Sequence, residues 1–252
     1  MPPLRGSCSV ADVHIDPEDP RRRDLMRQAA CVAGAWATSG ALPAVAAGEV
    51  QHHPRSLLVD VHGSPWSTRQ LKPAEPFLFN YPYTASPVFL IAFEREVAAT
   101  ELVTKDKQRY AAPAGVGPNH AIVAFSAICA HKLMYPTTAI SFIGLRDGQR
   151  GEPAHVIHCC GDNSRYDPLH GGRVIDGPAP QPLAAVLLEW DAANDRLYAV
   201  GTRGGEMFDA FFEKYAMKLE FENGSSSPKA SGPTVVVQPA AIYSKQWRNC
   251  AV

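Results

Sequence analysis

Charge of one sign is the first thing this sequence lacks: 24 Lys+Arg stand against 25 Asp+Glu, for a formal net charge of -1. No overall basic field exists to hold nucleic acid or an anionic lipid surface, so nucleic acid is not expected as a partner. Internal repeats are also missing, and no histidine follows His170. Ser64 lies near His62 and Asp60 but has no nucleophile elbow around it, which removes the one serine-hydrolase arrangement in view. What the chain does have is enough apolar content (46%) for a sizeable core and, with 22 Pro and 19 Gly, many chain breaks. That combination suits short strands joined by turns, and a mainly β class is expected.

Residues 1–48 read as a targeting segment rather than as fold. Arg21, Arg22 and Arg23 are followed by Leu25, Met26 and Arg27; no charge then appears before Glu49, and Ala44-Val45-Ala46-Ala47 offers the small residues that suit signal peptidase. The pattern resembles a twin-arginine export signal, a route for proteins that cross a membrane already folded. A periplasmic location is therefore expected. The alternative is an uncleaved segment that anchors the chain to the membrane. Its Ala and Gly residues contribute little transfer energy compared with Leu or Ile, which favours cleavage.

Beyond the segment, apolar, β-branched or aromatic runs at Ser56 to Val61, Phe77 to Tyr81, Val88 to Phe93 and Ala121 to Ile128 read as strands. Residues 94–118 are more polar and end as a loop. Ala139 to Ile143 and His155 to Ile157 bracket an Asp147-Gly148 turn signal, and Arg173 to Ile175, Ala184 to Trp190 and Arg196 to Val200 follow as strands. From Gly205 the period changes: Met207, Phe208, Phe211, Phe212, Tyr215 and Leu219 share one helical face, a stripe read as core packing. Gly224 to Pro233 reads as a mobile connection, and Thr234 to Val237 as a last strand.

Cysteine is scarce, and its placement carries the chemistry. Outside the targeting segment stand Cys129, Cys159, Cys160 and Cys250, which in an oxidising compartment are expected to pair or to bind metal. Cys129-Ala130-His131 sets a thiolate and an imidazole one residue apart where a strand meets a loop. His158-Cys159-Cys160-Gly161-Asp162-Asn163-Ser164-Arg165-Tyr166-Asp167-Pro168 follows, and then Gly177-Pro178-Ala179-Pro180-Gln181-Pro182-Leu183.

In this order the three elements resemble the Rieske iron–sulfur family over roughly residues 119–201. The resemblance implies a [2Fe-2S] cluster held by a Cys-x-His loop and a Cys-x-x-His loop, with both Cys on one iron and both His on the other. It also implies a covering proline loop, here Pro178 and Pro180. Cys129 and His131 match the first loop. The second loop offers two registers: Cys160 with Asn163, which is preferred, or Cys159 with Asp162. The Cys159 register aligns Ser164 and Tyr166 with a hydroxyl pair that, in high-potential members, hydrogen-bonds the cluster and a cysteine sulfur. Neither register supplies the second histidine. His158 and His170 are the remaining imidazoles nearby, both read as surface residues. A disulfide that braces the two loops in some members is absent, with Met134 at its first position, and Cys250 is expected to be a free or partnering thiol.

The implied fold is a Rieske-like antiparallel β-sandwich with an inserted cluster-binding subdomain. To it are added extra N-terminal strands over 50–118 and, over 202–252, one C-terminal amphipathic helix and a tail. The implied function is electron transfer, single electrons passing between a redox enzyme or quinol-oxidising complex and a cytochrome. Three states of the site stay open: a cluster with Asp162 or Asn163 as fourth ligand, a different metal at Cys129, His131 and the cysteine pair, or a scaffold without a cluster that serves as a docking subunit. A Rieske oxygenase needs a second iron held by two His and a carboxylate, and the chain after His170 has no histidine to supply it.

Overall fold

The computed structural model describes residues 48–224, 226–248 and 250, so the expected targeting segment lies, but for Gly48, outside the described residues. The described chain begins with β1 (Val50–Val59), β2 (Phe77–Asn80), β3 (Pro87–Ala92), β4 (Thr100–Val103), β5 (Arg109–Ala112) and β6 (Ile122–Ser126). Next come β7 (Ile140–Ser141), β8 (Ile143–Asp147), β9 (His155–Cys159), β10 (Ser164–Asp167), β11 (Arg173–Asp176), β12 (Ala185–Asp191) and β13 (Arg196–Arg203). The last elements are α1 (Phe208–Asn223), β14 (Thr234–Val236), β15 (Gln238–Pro239), α2 (Ala240–Tyr243) and β16 (Gln246–Trp247).

The protein is mainly β, as its turn-rich composition requires. Eight strands form one sheet in the order β14-β1-β13-β12-β6-β3-β2-β15, antiparallel except where β14 runs parallel to β1. The extra N-terminal strands thus share one sheet with β6, β12 and β13. A second sheet, β11-β10-β9-β8, is antiparallel throughout and carries the second motif. All six residues of β3 and all five of β6 are buried, so both read as continuous apolar runs rather than alternating ones. Side chains on a strand alternate between faces, and the two faces of the large sheet fill two cores. Phe77, Phe79, Val88, Leu90 and Ile122 enter one. Leu78, Phe89, Ile91, Val123 and Phe125 enter the other, which continues through Ile143, Ile157 and Tyr166 to Cys129 and Cys159. The two thiols are therefore part of the main core.

Helix α1 lays the expected aromatic stripe against the chain that follows β6. Phe208, Phe211, Phe212 and Leu219 are buried with Ile128, Leu133 and Tyr135. Tyr135 meets the Phe211 and Tyr215 rings edge-on at centroid distances of 4.9 and 5.0 Å. Gly224, at φ 68°, ends the helix in the left-handed region where a Cβ is unfavourable.

Three segments differ from the sequence reading. Residues 94–118 hold the hairpin β4–β5, whose Leu102, Tyr110 and Ala112 form a small core of their own. The connection after α1 is tied down by a bridge between Ala230 and Tyr83 and by the Thr84 amide donating to the Lys229 carbonyl at 2.9 Å. Residues 238–248 cross from the large sheet, where β15 pairs with β2, to β7, where β16 pairs in parallel.

Candidate metal centre

The first motif leaves β6 and turns at once. Cys129 receives the Leu133 amide at its carbonyl at 3.0 Å and donates its own amide to Met134 at 2.8 Å; Leu133 takes a positive φ of 58° to close the turn. Cys129 is fully buried, while His131 stands at the exposed edge. The second motif is the hairpin between β9 and β10. Cys159 pairs with Ser164, and the Asn163 amide donates to the Cys159 carbonyl at 2.8 Å. Asn163 sits at φ 63°, a left-handed position that asparagine tolerates better than most residues.

The hairpin brings Cys159 and Asp162 onto Cys129. One sulfur from each cysteine and one carboxylate oxygen of Asp162 all lie within 4.8 Å of one another. Asp162 Oδ2 is 3.2 Å from Cys129 Sγ and 3.0 Å from His131 Nδ1, and Asp162 Oδ1 accepts the Ser164 amide at 3.0 Å. The Tyr166 hydroxyl oxygen accepts the Ala130 amide at 3.1 Å and lies 3.3 Å from Cys129 Sγ, within hydrogen-bond distance. Ser164 Oγ is buried close enough to the Asp162 carboxyl to favour its ionised form, yet among the described residues no group meets it in hydrogen-bond geometry.

These contacts set the protonation pattern. A hydrogen bond from Cys159 draws the Cys129 thiol below its ordinary value against the opposing effect of burial, and Tyr166 and the His131 and Lys132 amides add to it. Cys159 moves the other way, because its proton is held in that bond to Cys129 and because burial and the negative charges of Cys129 and Asp162 disfavour a second anion. Burial opposes ionisation of Asp162, but the Ser164 amide and the cysteine side chains outweigh it, and the carboxyl lies below its usual range. Among the described residues no Lys or Arg forms an ion pair with Asp162; its partner is His131. A thiolate, a thiol and a carboxylate brought together in a core are a cation site in chemical character.

The preferred register, Cys160 with Asn163, is corrected by this geometry. Cys160 is bonded to Cys250 in a disulfide across 90 positions of sequence, so its sulfur is unavailable as a thiolate ligand, and Cys250 is the partnering thiol of the two alternatives expected for it. Asn163 Oδ1 lies 2.7 Å from His158 Nε2, with its side chain turned to that ring rather than to Cys129. The physical reason is strand alternation: β9 runs through Cys159, so Cys159 faces the core with Ile157, and the next residue must face the other way. His158 is buried, not a surface residue, and His170 is held by Asp167 at 2.6 Å; neither reaches the cysteines.

The proline loop touches the hairpin. A Cβ at Gly177 would stand 2.6 Å from the Asn163 carbonyl oxygen, so only glycine permits the approach. Pro178 and Pro180 are exposed, and Ala179 between them packs on the core. The loop is anchored by Gln181, a residue the motif does not single out: buried, it donates Nε2 to the Gly205 carbonyl at 2.8 Å and accepts the Lys105 amide at 3.2 Å. The two ligand loops meet without a covalent bridge. Met134 packs on Gly161, where an added Cβ would lie 2.8 Å from Met134 Cγ.

No family model matches the chain. Among solved structures it is similar to the crystal structure of the soluble domain of the Rieske protein II from Sulfolobus acidocaldarius, with 30% sequence identity over 60% of this chain and 78% of that one, at a TM-score of 0.43.

Proposed function

We propose that the pocket formed by Cys129, His131, Cys159 and Asp162 holds a Rieske-type [2Fe-2S] cluster in which a carboxylate replaces one imidazole, and that the protein is an electron carrier. The observation that carries this reading is the gathering of buried Cys129 and Cys159 and half-buried Asp162 within 4.8 Å of one another, with His131 at the exposed edge beside Asp162. The donors fit the group in kind and in order. The resemblance implies two thiolates on one iron, here Cys129 and Cys159, and the second pair on the other, here His131 and Asp162. Tyr166 already stands on a cysteine sulfur, and the unpartnered Ser164 Oγ is the second hydroxyl of the implied pair.

When bound, such a cluster takes up and releases one electron. The chain's own residues set the conditions: Tyr166 and the His131 and Lys132 amides stabilise negative charge on Cys129, the surrounding core excludes water, and His131 provides the exposed edge. A carboxylate in place of a neutral imidazole adds negative charge, so the potential should lie below that of a cluster with two histidines. The reading includes export to the periplasm and a redox partner such as a cytochrome or a quinol-oxidising complex. The Cys160–Cys250 disulfide supports an oxidising compartment.

A second reading rests on how tightly the donors are gathered. Around one tetrahedral zinc-like ion, ligand atoms stand about 3.3–3.8 Å apart. The separations of 3.2 Å from Cys129 to Asp162 and 3.0 Å from Asp162 to His131 are near that scale. Expression of the full chain with competent cluster assembly, followed by iron, zinc and acid-labile sulfide analysis and EPR of the reduced sample, separates the two. Iron with matching sulfide and a low-average-g signal supports the cluster. One metal without sulfide overturns it in favour of the mononuclear site, and no metal at all leaves the scaffold.

A further inference from the structure

We propose that the C-terminal strap over 238–248, with Cys250, is a redox latch on the second ligand loop, closed by the Cys160–Cys250 disulfide and opened by a dithiol. The strap leaves the large sheet where Gln238 pairs with Leu78 and crosses to the β8–β9 face. There the Ser244 hydroxyl donates to the Thr137 carbonyl at 2.5 Å, Gln246 and Trp247 pair with Ile140 and Ser141, the Lys245 amide donates to Thr138 at 3.0 Å, the Arg248 amide donates to Ser141 at 2.9 Å, and Arg146 Nη2 donates to the Arg248 carbonyl. Trp247 lies over Gly144, where an added Cβ would be 2.9 Å from the ring. The one covalent link falls on Cys160, the residue after Cys159 and two before Asp162.

The position of that link gives it leverage. The Cys160 amide donates to the Phe142 carbonyl, and the Asn163 amide closes the hairpin on Cys159. The two ligand loops meet non-covalently, through Asp162 on Cys129 and His131, the Ala130 amide on Tyr166, and Met134 on Gly161, and loop one has its own support in α1. Loop two is held from outside by the strap. Cys160 and Cys250 are both half-buried residues, and their bond is the one a dithiol can reduce here, since Cys129 and Cys159 are already thiols. A dithiol thiolate attacks one sulfur of the pair and forms a mixed disulfide, and the other protein sulfur leaves and takes a proton. The reagent's second thiol then closes its own ring, so two electrons pass to the protein and two protein thiols result.

The latch is read from the strap alone, while its effect on a bound metal rests on the function proposed above. Hydrogen–deuterium exchange on the full chain, oxidised and then treated with dithiothreitol, tests it without metal. Local opening should speed exchange by about ten-fold at the Lys245, Arg248, Cys160 and Asn163 amides and leave the β3 and β6 amides unchanged. Cys250→Ser should show the same pattern without reductant, and chelator extraction should remove its metal faster than from the parent by about the same factor. Unchanged exchange at Cys160 and Asn163 after verified reduction overturns the latch, as does a mass spectrum of the oxidised chain with free Cys160 and Cys250. Faster exchange with unchanged metal loss overturns the coupling to the metal. A chain that takes up no metal sinks the proposed function, while the exchange result still decides the latch.

Discussion

The Tyr166 hydroxyl stands between the Ala130 amide, which it accepts at 3.1 Å, and Cys129 Sγ at 3.3 Å. The contact favours the negative form of Cys129, so the phenol is the donor to that sulfur. A residue from β10 thereby holds the first-loop cysteine in place and stabilises its negative form, so the two motifs are joined at a hydrogen bond as well as at the donor cluster. Burial and the Cys129 charge both push the Tyr166 phenol well above its ordinary value, which keeps that proton in place.

Tyr166→Phe should therefore do two things. It leaves the Ala130 amide buried without its partner, at a cost of about 1–3 kcal/mol. It also removes a donor from Cys129, so a bound redox centre should show a lower potential. Thermal denaturation and a redox titration measure the two effects separately. An unchanged potential in a folded variant would show that the hydroxyl is structural only.

Asp162 and Asn163 make opposed tests of the second loop. Loss of even a supporting residue around a metal ligand lowers affinity about 10–100-fold, so Asp162→Ala, which deletes a proposed ligand, should lower it at least that much. Asp162→His should retain the metal and raise the potential by removing a negative charge. Asn163→His should build no ligand, since residue 163 holds a left-handed φ and its side chain is turned to His158. Metal content of the three variants, each from the same expression system, ranks them. Full metal in Asp162→Ala would remove the carboxylate from the site.

How much of this was legible beforehand depends on distance along the chain. Cys129 and His131 were readable because one tight turn contains both. The choice between Cys159 and Cys160 turned on one residue of strand length: the expected strand ended at Ile157, while β9 runs to Cys159 and alternation then sends Cys159 inward. Strand β10 was hidden inside a motif read as loop. The Cys250 pairing joins residues 90 positions apart and left no local signal. The aromatic stripe of α1 was legible because its period is local, although the partners it packs on, Leu133 and Tyr135, were not.

Glu206 links stability to pH. Among the described residues neither of its carboxylate oxygens meets a partner in hydrogen-bond geometry, and burial, only partly offset by its own amide and the nearby Thr202 hydroxyl, pushes the group up to about 7. The folded state thus binds the proton more tightly than the unfolded chain. Its contribution is complete below the unfolded value, about 4.3, and is lost as pH rises through about 7. Glu206→Gln should then stabilise the protein at pH 8 by about 3 kcal/mol and make little difference at pH 4.5. Denaturant melts of both chains at the two pH values give the comparison, and an equal gain at both would mean that the charge is not the cause.

The two faces of α1 carry a last contrast. Phe211 is fully buried and meets Tyr135, Phe212 and Tyr215, whereas Phe221 is 92% exposed. Phe211→Ala removes a ring from a packed cluster and should cost about 3–5 kcal/mol. Phe221→Ala should fall within about 0.5 kcal/mol of the parent. Since Tyr135 and Leu133 belong to the chain that follows Cys129 and His131, the Phe211 variant should also show faster amide exchange at Leu133. Urea melts and exchange at that amide test both halves. A large loss of stability with Leu133 still protected would mean that the helix supports the fold but not the first ligand loop.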